Sequence, residues 1–135
     1  MFVVDASVAL AWCFVDEASP AADAALGRLE REEAVAPAIW PLEVANGLRT
    51  AERRGRLDQD DMPRMRELLL SLPVQVEPVA LTEALGEITE AARRLDLTTY
   101  DAAYLQLAVR RGLPLATVDE RLRRASLVVG IVLVD

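Results

Sequence analysis

FVVDAS, residues 2–7, is the segment that decides the fold class of this 135-residue chain. Phe2-Val3-Val4 is a short apolar run typical of a buried strand, and it ends directly in an acid, Asp5. The arrangement recurs near the C-terminus, where the strand-like run at residues 115–118 leads into Asp119. An ionised acid beside residues that favour burial is costly unless something compensates it. Both carboxylates are therefore candidates for a functional site.

Short strand-like segments alternate with amphipathic helical patterns along the rest of the chain. The predicted strands are residues 2–4, 34–37, 74–76, 115–118 and 130–134. The predicted helices run from a cap at Ser19 through 21 to about 31, from 41 to about 54, from a cap at Asp58 to about 70, from a cap at Thr82 to about 95, and from Thr98 or Thr99 to Gly112. This alternation predicts an α/β fold with a parallel sheet covered on both faces, in one domain spanning residues 1–135.

Two further acids lie in apolar surroundings. Glu43 stands between Leu42 and Val44, and Asp101 begins the run Asp101-Ala102-Ala103. In open parallel sheets, ligands bind at the carboxyl ends of the strands, and helix starts reach the same edge. We therefore expect Asp5, Glu43, Asp101 and Asp119 to share one crevice, although the sequence does not give the strand order that would bring them together.

The residue types that the chain lacks exclude several classes of enzyme. There is no histidine, and all 15 basic residues are arginine. These absences exclude Ser-His triads, phosphate-binding loops that need a lysine, and Schiff-base chemistry. With Cys13 as the only cysteine, ordinary structural zinc is excluded too. Carboxylate, hydroxyl and amide oxygens remain, and oxygen ligands select hard cations such as Mg²⁺ or Mn²⁺.

The net charge of −7 argues against tight nonspecific binding to nucleic acid. The objection is weaker than it looks, because the four acids of the expected crevice supply four of the seven excess charges and a divalent cation would reverse the local sign. The N-terminus lacks the features of a signal peptide, and the longest uncharged runs are shorter than a membrane span. We expect a cytoplasmic protein, which the single cysteine also favours.

Each of the four acids has a structural alternative. Asp5 and Asp119 could cap the helices that follow them, and Asp101 could form a capping box with Thr98. Glu43 could be a first-turn acid favoured by the helix dipole. Taken singly, these interpretations are the more common ones. They do not explain why two apolar strands both run straight into aspartate.

Polar residues near the acids extend the hypothesis. Ser7 and Thr117 each lie two residues from an aspartate, and Asn46 lies one helical turn after Glu43, so these three could hydrogen-bond the carboxylates. Ordinary turn and cap chemistry is the alternative. Candidates for phosphate contact are Arg53, Arg54 and Arg121, with a solvated surface as the more common explanation. The larger aromatic residues are interpreted as core or interface residues: Trp12, Trp40, Tyr100 and Tyr104.

Together these motifs resemble those of PIN-domain ribonucleases, and in particular the VapC-like toxins of toxin–antitoxin pairs. The resemblance rests on residues 5–10, on Glu43 with Asn46, on residues 100–102 and on residues 117–119, and it spans essentially the whole chain. It implies a three-layer αβα sandwich with a central parallel sheet of about five strands. It also implies endonucleolytic cleavage of RNA that depends on Mg²⁺ or Mn²⁺, with Asp5, Glu43, Asp101 and Asp119 as the metal-binding and catalytic residues. The implied partners are a small VapB-like antitoxin and a second copy of the chain.

Two other functions stay open from the sequence. A metal-dependent phosphatase or a DNA nuclease could use the same acidic crevice. A non-catalytic acidic module could use the same residues to receive a basic protein segment.

Overall fold

The computed structural model describes all residues, 1–135, and its centre is a parallel sheet of four strands. The strands are β1 (Phe2–Val4), β2 (Ala34–Pro37), β3 (Val74–Glu77) and β4 (Leu115–Ala116). Their order in the sheet is β3-β2-β1-β4, and every neighbouring pair is parallel. The chain therefore builds outward from β1 through β2 to β3 and then crosses to the other side of β1 to add β4. This arrangement confirms the predicted α/β class with a parallel sheet.

The expected fifth strand at residues 130–134 is wrong. Only Leu133 makes a parallel bridge, to Leu115. Two backbone hydrogen bonds flank it: the Leu115 N–H donates to the Val132 carbonyl oxygen at 2.9 Å, and the Val134 N–H donates to the Leu115 carbonyl oxygen at 3.0 Å. Gly130 turns the chain with a φ of +79°, so the segment reaches the sheet only near its end. The strand predicted at 115–118 is also shorter, because Thr117 and Val118 leave the sheet after Ala116.

Eight α-helices surround the sheet and give it the layered αβα architecture, with a 3₁₀ turn at Val15–Glu17 and a π-helical turn at Ala84–Ile88 in addition. They are α1 (Ala6–Ala11), α2 (Pro20–Arg28), α3 (Trp40–Arg53), α4 (Met62–Ser71), α5 (Leu81–Glu83), α6 (Thr89–Leu95), α7 (Thr99–Arg111) and α8 (Glu120–Val128). Between α5 and α6 the chain kinks at Gly86, whose ψ of −107° is not helical. Helices α1 and α8 begin directly after Asp5 and Asp119, so each acid lies in the connection between a strand and the following helix.

The predicted helix caps are confirmed at two places and wrong at two others. The Ser19 and Thr98 side chains accept hydrogen bonds from the first turns of α2 and α7, as N-caps do. The Asp58 side chain instead accepts from the backbone N–H groups two and three residues ahead, which makes a turn, and α4 begins only at Met62. Thr82 lies inside α5, whose N-cap position is occupied by Ala80.

The main hydrophobic core lies between the sheet and the helices that cover it. All three residues of β1 are fully buried, and α7 packs against β1 and β2. Tyr104 of α7 is also fully buried and Trp40 is nearly so, whereas Tyr100 is 56% exposed. None of the helices combines the length and the apolar character that crossing a bilayer requires.

Gly112 ends α7 in the left-handed conformation, with φ +62°, and this makes its replacement a test of the fold. We expect Gly112→Ala to lower the free energy of unfolding by about 1–2 kcal/mol, because a Cβ disfavours that conformation. Gly27 lies inside α2 with open space around it, so Gly27→Ala is expected to raise stability by about 0.5–1 kcal/mol. Urea unfolding of both variants measures the two signs. Equal effects would contradict the left-handed end of α7.

Candidate functional site

The site is built where β1 and β4 end side by side. Asp5 follows β1, and its backbone N–H donates a 3.0 Å hydrogen bond to the carbonyl oxygen of Ala116, the last residue of β4. The Thr117 side chain then turns back, and its Oγ1 donates to Asp5 Oδ2 at 2.7 Å. Thr117 is fully buried and Asp5 is 5% exposed. This junction is the point where the sheet changes direction of growth, which is where α/β sheets bind ligands.

Ser7 completes the support of Asp5. Its Oγ donates to Asp5 Oδ2 at 2.6 Å and accepts from the backbone N–H of Val118 at 3.2 Å. Thr117 Oγ1 likewise accepts from the backbone N–H of Asp119 at 3.0 Å. Both hydroxyls therefore bind the Asp5 carboxylate and also fix the loop after β4. Since both bonds to Asp5 end at Oδ2, its Oδ1 is left without a hydrogen bond from the protein.

Glu43 reaches the site from the first turn of α3, which follows β2, the other neighbour of β1. Its side chain is half-buried, and Tyr104 Oη donates to Glu43 Oε1 at 2.7 Å. The sequence indicated Tyr104 only as a core or interface residue. The signal that points to it is its position three residues after Asp101, since a buried tyrosine hydroxyl needs a polar partner and this one faces an acidic crevice.

The helix-cap alternative is confirmed for Asp119 and wrong for Asp5, and the capping box expected at Asp101 is incomplete. Asp119 is an N-cap: its Oδ1 accepts from the backbone N–H of Leu122 at 2.9 Å, which leaves Oδ2 free. Asp5 occupies an N-cap position but its side chain makes no capping bond. Thr98 caps α7 through the backbone N–H of Asp101, yet the half-buried Asp101 carboxylate makes no bond back to Thr98, so the capping box is incomplete.

Burial and mutual repulsion raise the pKa values of three of these acids. Desolvation is the main cause for Asp5, whose pKa rises to about 6 against the hydrogen bonds from Ser7 and Thr117; the charges of Glu43 and Asp101 raise it further. Desolvation also raises the pKa values of Glu43 and Asp101, with the Asp101 charge as a further cause at Glu43 and the Asp119 charge at Asp101. These pairwise repulsions link all four acids into one electrostatic group.

The four acids supply only oxygen donors, which fits a hard divalent cation such as Mg²⁺ or Mn²⁺. Asp5 and Asp119 each keep a carboxylate oxygen that no protein group hydrogen-bonds, and Asp101 keeps both. No three acidic side chains, however, lie close enough together to hold one metal ion between them. The donor chemistry therefore fits such a cation, while the four carboxylates are not gathered around one point.

The other residues suggested by the sequence lie at different distances from the acids. Asn46 is exposed and makes no hydrogen bond to a carboxylate. Arg53 lies ten residues after Glu43 on α3, about 15 Å along the helix, and both it and Arg54 are exposed. Arg121 is different: burial and the Asp119 charge raise the pKa of Asp101, and the Arg121 guanidinium is close enough to oppose part of that rise. Arg121 takes part in no ion pair.

Comparison with known proteins gives one consistent result. The family model described as PIN domain matches residues 2–127. "Ribonuclease VapC3" of Pyrobaculum aerophilum is 33% identical over 120 residues, which cover 89% of this chain and 90% of the relative. "Ribonuclease VapC9" of Mycobacterium tuberculosis is 37% identical over 123 residues, which cover 90% of this chain and 88% of the relative. The "Crystal structure of PAE2754 from Pyrobaculum aerophilum" aligns with a TM-score of 0.68 at 30% identity, covering 92% of this chain and 78% of that one.

Replacement of Asp5 by asparagine should reveal the cost of burying its charge. The folded state holds the Asp5 proton more tightly than the unfolded chain, since the pKa rises from 3.8 to about 6 on folding. The free energy of unfolding therefore falls as pH rises from about 4 to about 6. In chelator, we expect Asp5→Asn to be more stable than wild type by about 1–3 kcal/mol at pH 8, with the gain shrinking toward pH 4. Urea unfolding at both pH values measures the difference.

Asp60→Asn is the control for loss of one negative charge, because Asp60 is exposed and its side chain makes no hydrogen bond. We expect no comparable gain from it. A gain for Asp5→Asn that is the same at pH 4 and pH 8, or a loss at pH 8, would contradict the assigned environment of Asp5.

Proposed function

The chain belongs to the PIN-domain family, and we propose that it is a divalent-cation-dependent endoribonuclease that acts as the toxin of a toxin–antitoxin pair. The observation that carries the proposal is the buried Asp5 carboxylate at the junction of β1 and β4, which Ser7 and Thr117 hold within reach of the charges of Glu43 and Asp101. The names of the VapC ribonuclease relatives support the same activity, since the aligned regions span about nine tenths of both chains.

The residues that would hold Mg²⁺ or Mn²⁺ are Asp5, Glu43, Asp101 and Asp119. When bound, the cation supplies Lewis-acid activation of water and stabilises negative charge on the phosphate and the leaving oxygen. The four carboxylates would repel one another less with a cation bound than without one.

The chain's own residues prepare the site for this ligand. The hydroxyls of Ser7 and Thr117 both donate hydrogen bonds to Asp5 Oδ2. These bonds fix the plane of the carboxylate and leave Oδ1 pointing away from both donors. Asp119 is held by its bond to the first turn of α8, and its Oδ2 stays available. With a pKa of about 6, Asp5 is mostly ionised at neutral pH even before a cation binds. These features support a preorganised anionic site, in which Asp5 makes no capping bond and Asp119 caps α8 with only one of its two oxygens.

Arg121 is the arginine that we place against the RNA backbone. Its position near Asp101 puts a positive charge at the edge of the acids, where a phosphate approaching them would pass. Arg53 and Arg54 lie farther along α3, so a contact with them would concern nucleotides more distant from the cleaved bond.

The remaining parts of the proposal concern partners and location. We propose that a small VapB-like antitoxin covers the acidic crevice and that the chain works as a homodimer in the cytoplasm. Exposed apolar side chains support a protein partner: Leu81 and Leu85, one helical turn apart, are 72% and 71% exposed, and Leu42 beside Glu43 is 68% exposed.

A non-catalytic acidic module remains the second candidate, favoured by the fact that no three acids are gathered around one point. Such a module would bind basic segments without a need for metal. A phosphatase or DNA nuclease would instead need the metal but prefer other substrates.

Cleavage of total RNA tests the proposed activity directly. We expect wild type with Mn²⁺ or Mg²⁺ to cleave RNA, and we expect chelator or Asp101→Asn to abolish cleavage, because each removes part of the cation site. Asp60→Asn is the matched control that removes an exposed acid and should cleave normally. Mapping of the cut ends identifies the target.

The outcomes separate the candidates. Cleavage of DNA or phosphomonoesters with RNA spared would indicate the other enzymes. Absence of Mn²⁺ binding in calorimetry, with no cleavage, would indicate the acidic module. Equal RNA cleavage by wild type and Asp101→Asn would contradict the assigned site.

Arg121→Gln should weaken RNA binding more than catalysis. We expect a several-fold higher KM, a kcat close to wild type and a shallower dependence of KM on salt, because one phosphate contact is lost. Steady-state cleavage of a fluorescent RNA at several salt concentrations measures all three. The control is Arg31→Gln. Arg31 is exposed and precedes β2, so it lies toward the amino ends of the strands, opposite the carboxyl ends where the acids lie. Equal effects of the two substitutions would reduce Arg121 to a general surface charge.

A further inference from the structure

The Tyr104 hydroxyl joins two elements of the site. Tyr104 belongs to α7, and its Oη donates to Glu43 Oε1 of α3 at 2.7 Å. The ring is fully buried in the main core. Packing of the ring therefore fixes the position of the hydroxyl, which lies beside the carboxylate of Glu43.

Glu43 depends on this one contact. No other side-chain hydrogen bond reaches its carboxylate, which stands half-buried beside Asp5 and Asp101. A glutamate has more rotatable bonds than an aspartate, and holding it in one rotamer costs conformational entropy. A hydrogen bond from a rigid donor to an ionised carboxylate is a strong one and offsets that cost. Glu43 Oε2 makes no hydrogen bond to the protein.

Helix α7 supplies both a candidate ligand and the donor that holds another. Asp101 and Tyr104 are three residues apart, so they lie on the same face of the helix in successive turns. The contact with Glu43 therefore sets the spacing between an acid of α3 and an acid of α7. Without it, repulsion from Asp5 and Asp101 favours rotation of the Glu43 side chain toward solvent.

We propose that Tyr104 is a positioning residue of the nuclease site, whose hydroxyl holds the Glu43 carboxylate beside Asp5 and Asp101 and so completes the divalent-cation site. This inference rests on the function proposed above. Tyr104 itself touches neither cation nor RNA; it acts through Glu43, as hydrogen-bond partners of metal-binding carboxylates do.

A purely structural role for Tyr104 makes a different prediction. If the hydroxyl only satisfied a buried donor, its removal would affect folding and leave cation binding to the intact carboxylates. If the hydroxyl positions Glu43, its removal should weaken cation binding, and the effect should disappear once the Glu43 carboxylate is gone.

The test is a double-mutant cycle of Tyr104→Phe and Glu43→Ala, read out as Mn²⁺ affinity by calorimetry and as kcat and KM for RNA cleavage. We expect Tyr104→Phe alone to weaken Mn²⁺ binding and to lower kcat by about 10–100-fold, with KM for RNA little changed. In the Glu43→Ala background we expect Tyr104→Phe to have no further effect on Mn²⁺ affinity. Tyr100→Phe removes the other tyrosine hydroxyl of α7, which is exposed and unbonded, and should match wild type.

Three results would overturn the inference. The first is a Tyr104→Phe protein that keeps the Mn²⁺ affinity and the kcat of wild type. The second is a Tyr104→Phe substitution that lowers Mn²⁺ affinity by the same factor with and without Glu43→Ala. The third is a Tyr104→Phe protein that circular dichroism shows to be unfolded at 25 °C. If wild type itself neither binds Mn²⁺ nor cleaves RNA, the proposed function fails and this inference fails with it. If wild type does both and only the cycle fails, the function stands and Tyr104 is a core residue.

Discussion

The pairing of β1 with β4 is the constraint on which the site depends. Strands distant in sequence lie side by side because the chain crosses back over β1 after completing β3. Their register, Val4 opposite Ala116, makes both strands end at one level. Asp5 and Thr117 are the next residues, so their side chains meet at hydrogen-bond distance. A displacement of two residues in this register would move Thr117 by about 7 Å and leave the buried Asp5 without a partner.

The buried carboxylate defines the balance of forces around it. Desolvation and the neighbouring acids disfavour the charge of Asp5, whereas the hydroxyls of Ser7 and Thr117 favour it. Without a cation, the hydrogen bonds from Ser7 and Thr117 do not offset the desolvation, so the pKa of Asp5 stays raised. A buried, repelled carboxylate of this kind lowers the stability of the folded state, and acids with perturbed pKa values cluster at functional sites. The surrounding core, fully buried along β1, supplies the stability that permits it.

Several residues serve the fold and the site together. Asp119 caps α8 with one oxygen and offers the other to the crevice, so the choice between cap and ligand posed by the sequence was not exclusive. Tyr104 is both a core ring and a donor to Glu43, although its sequence context indicated only the first role. Asn46 shows the reverse: its spacing from Glu43 predicts a shared helix face, yet it lies exposed and makes no bond to an acid. Spacing along a helix fixes the face but not what that face meets.

The sequence by itself determined the α/β class, the approximate positions of four strands, the N-caps at Ser19 and Thr98, and the motifs that identify a PIN domain. These depend on local patterns: apolar runs, cap residues and periodicity. Only the tertiary structure decided that residues 130–134 contribute one bridge instead of a strand. It also decided that Thr117 and Ser7 converge on the same oxygen of Asp5, and that Tyr104 reaches Glu43. The physical reason is distance along the chain: Glu43 and Tyr104 are 61 residues apart, and Asp5 and Thr117 are 112 residues apart. Only the order of the strands in the sheet brings such distant residues together.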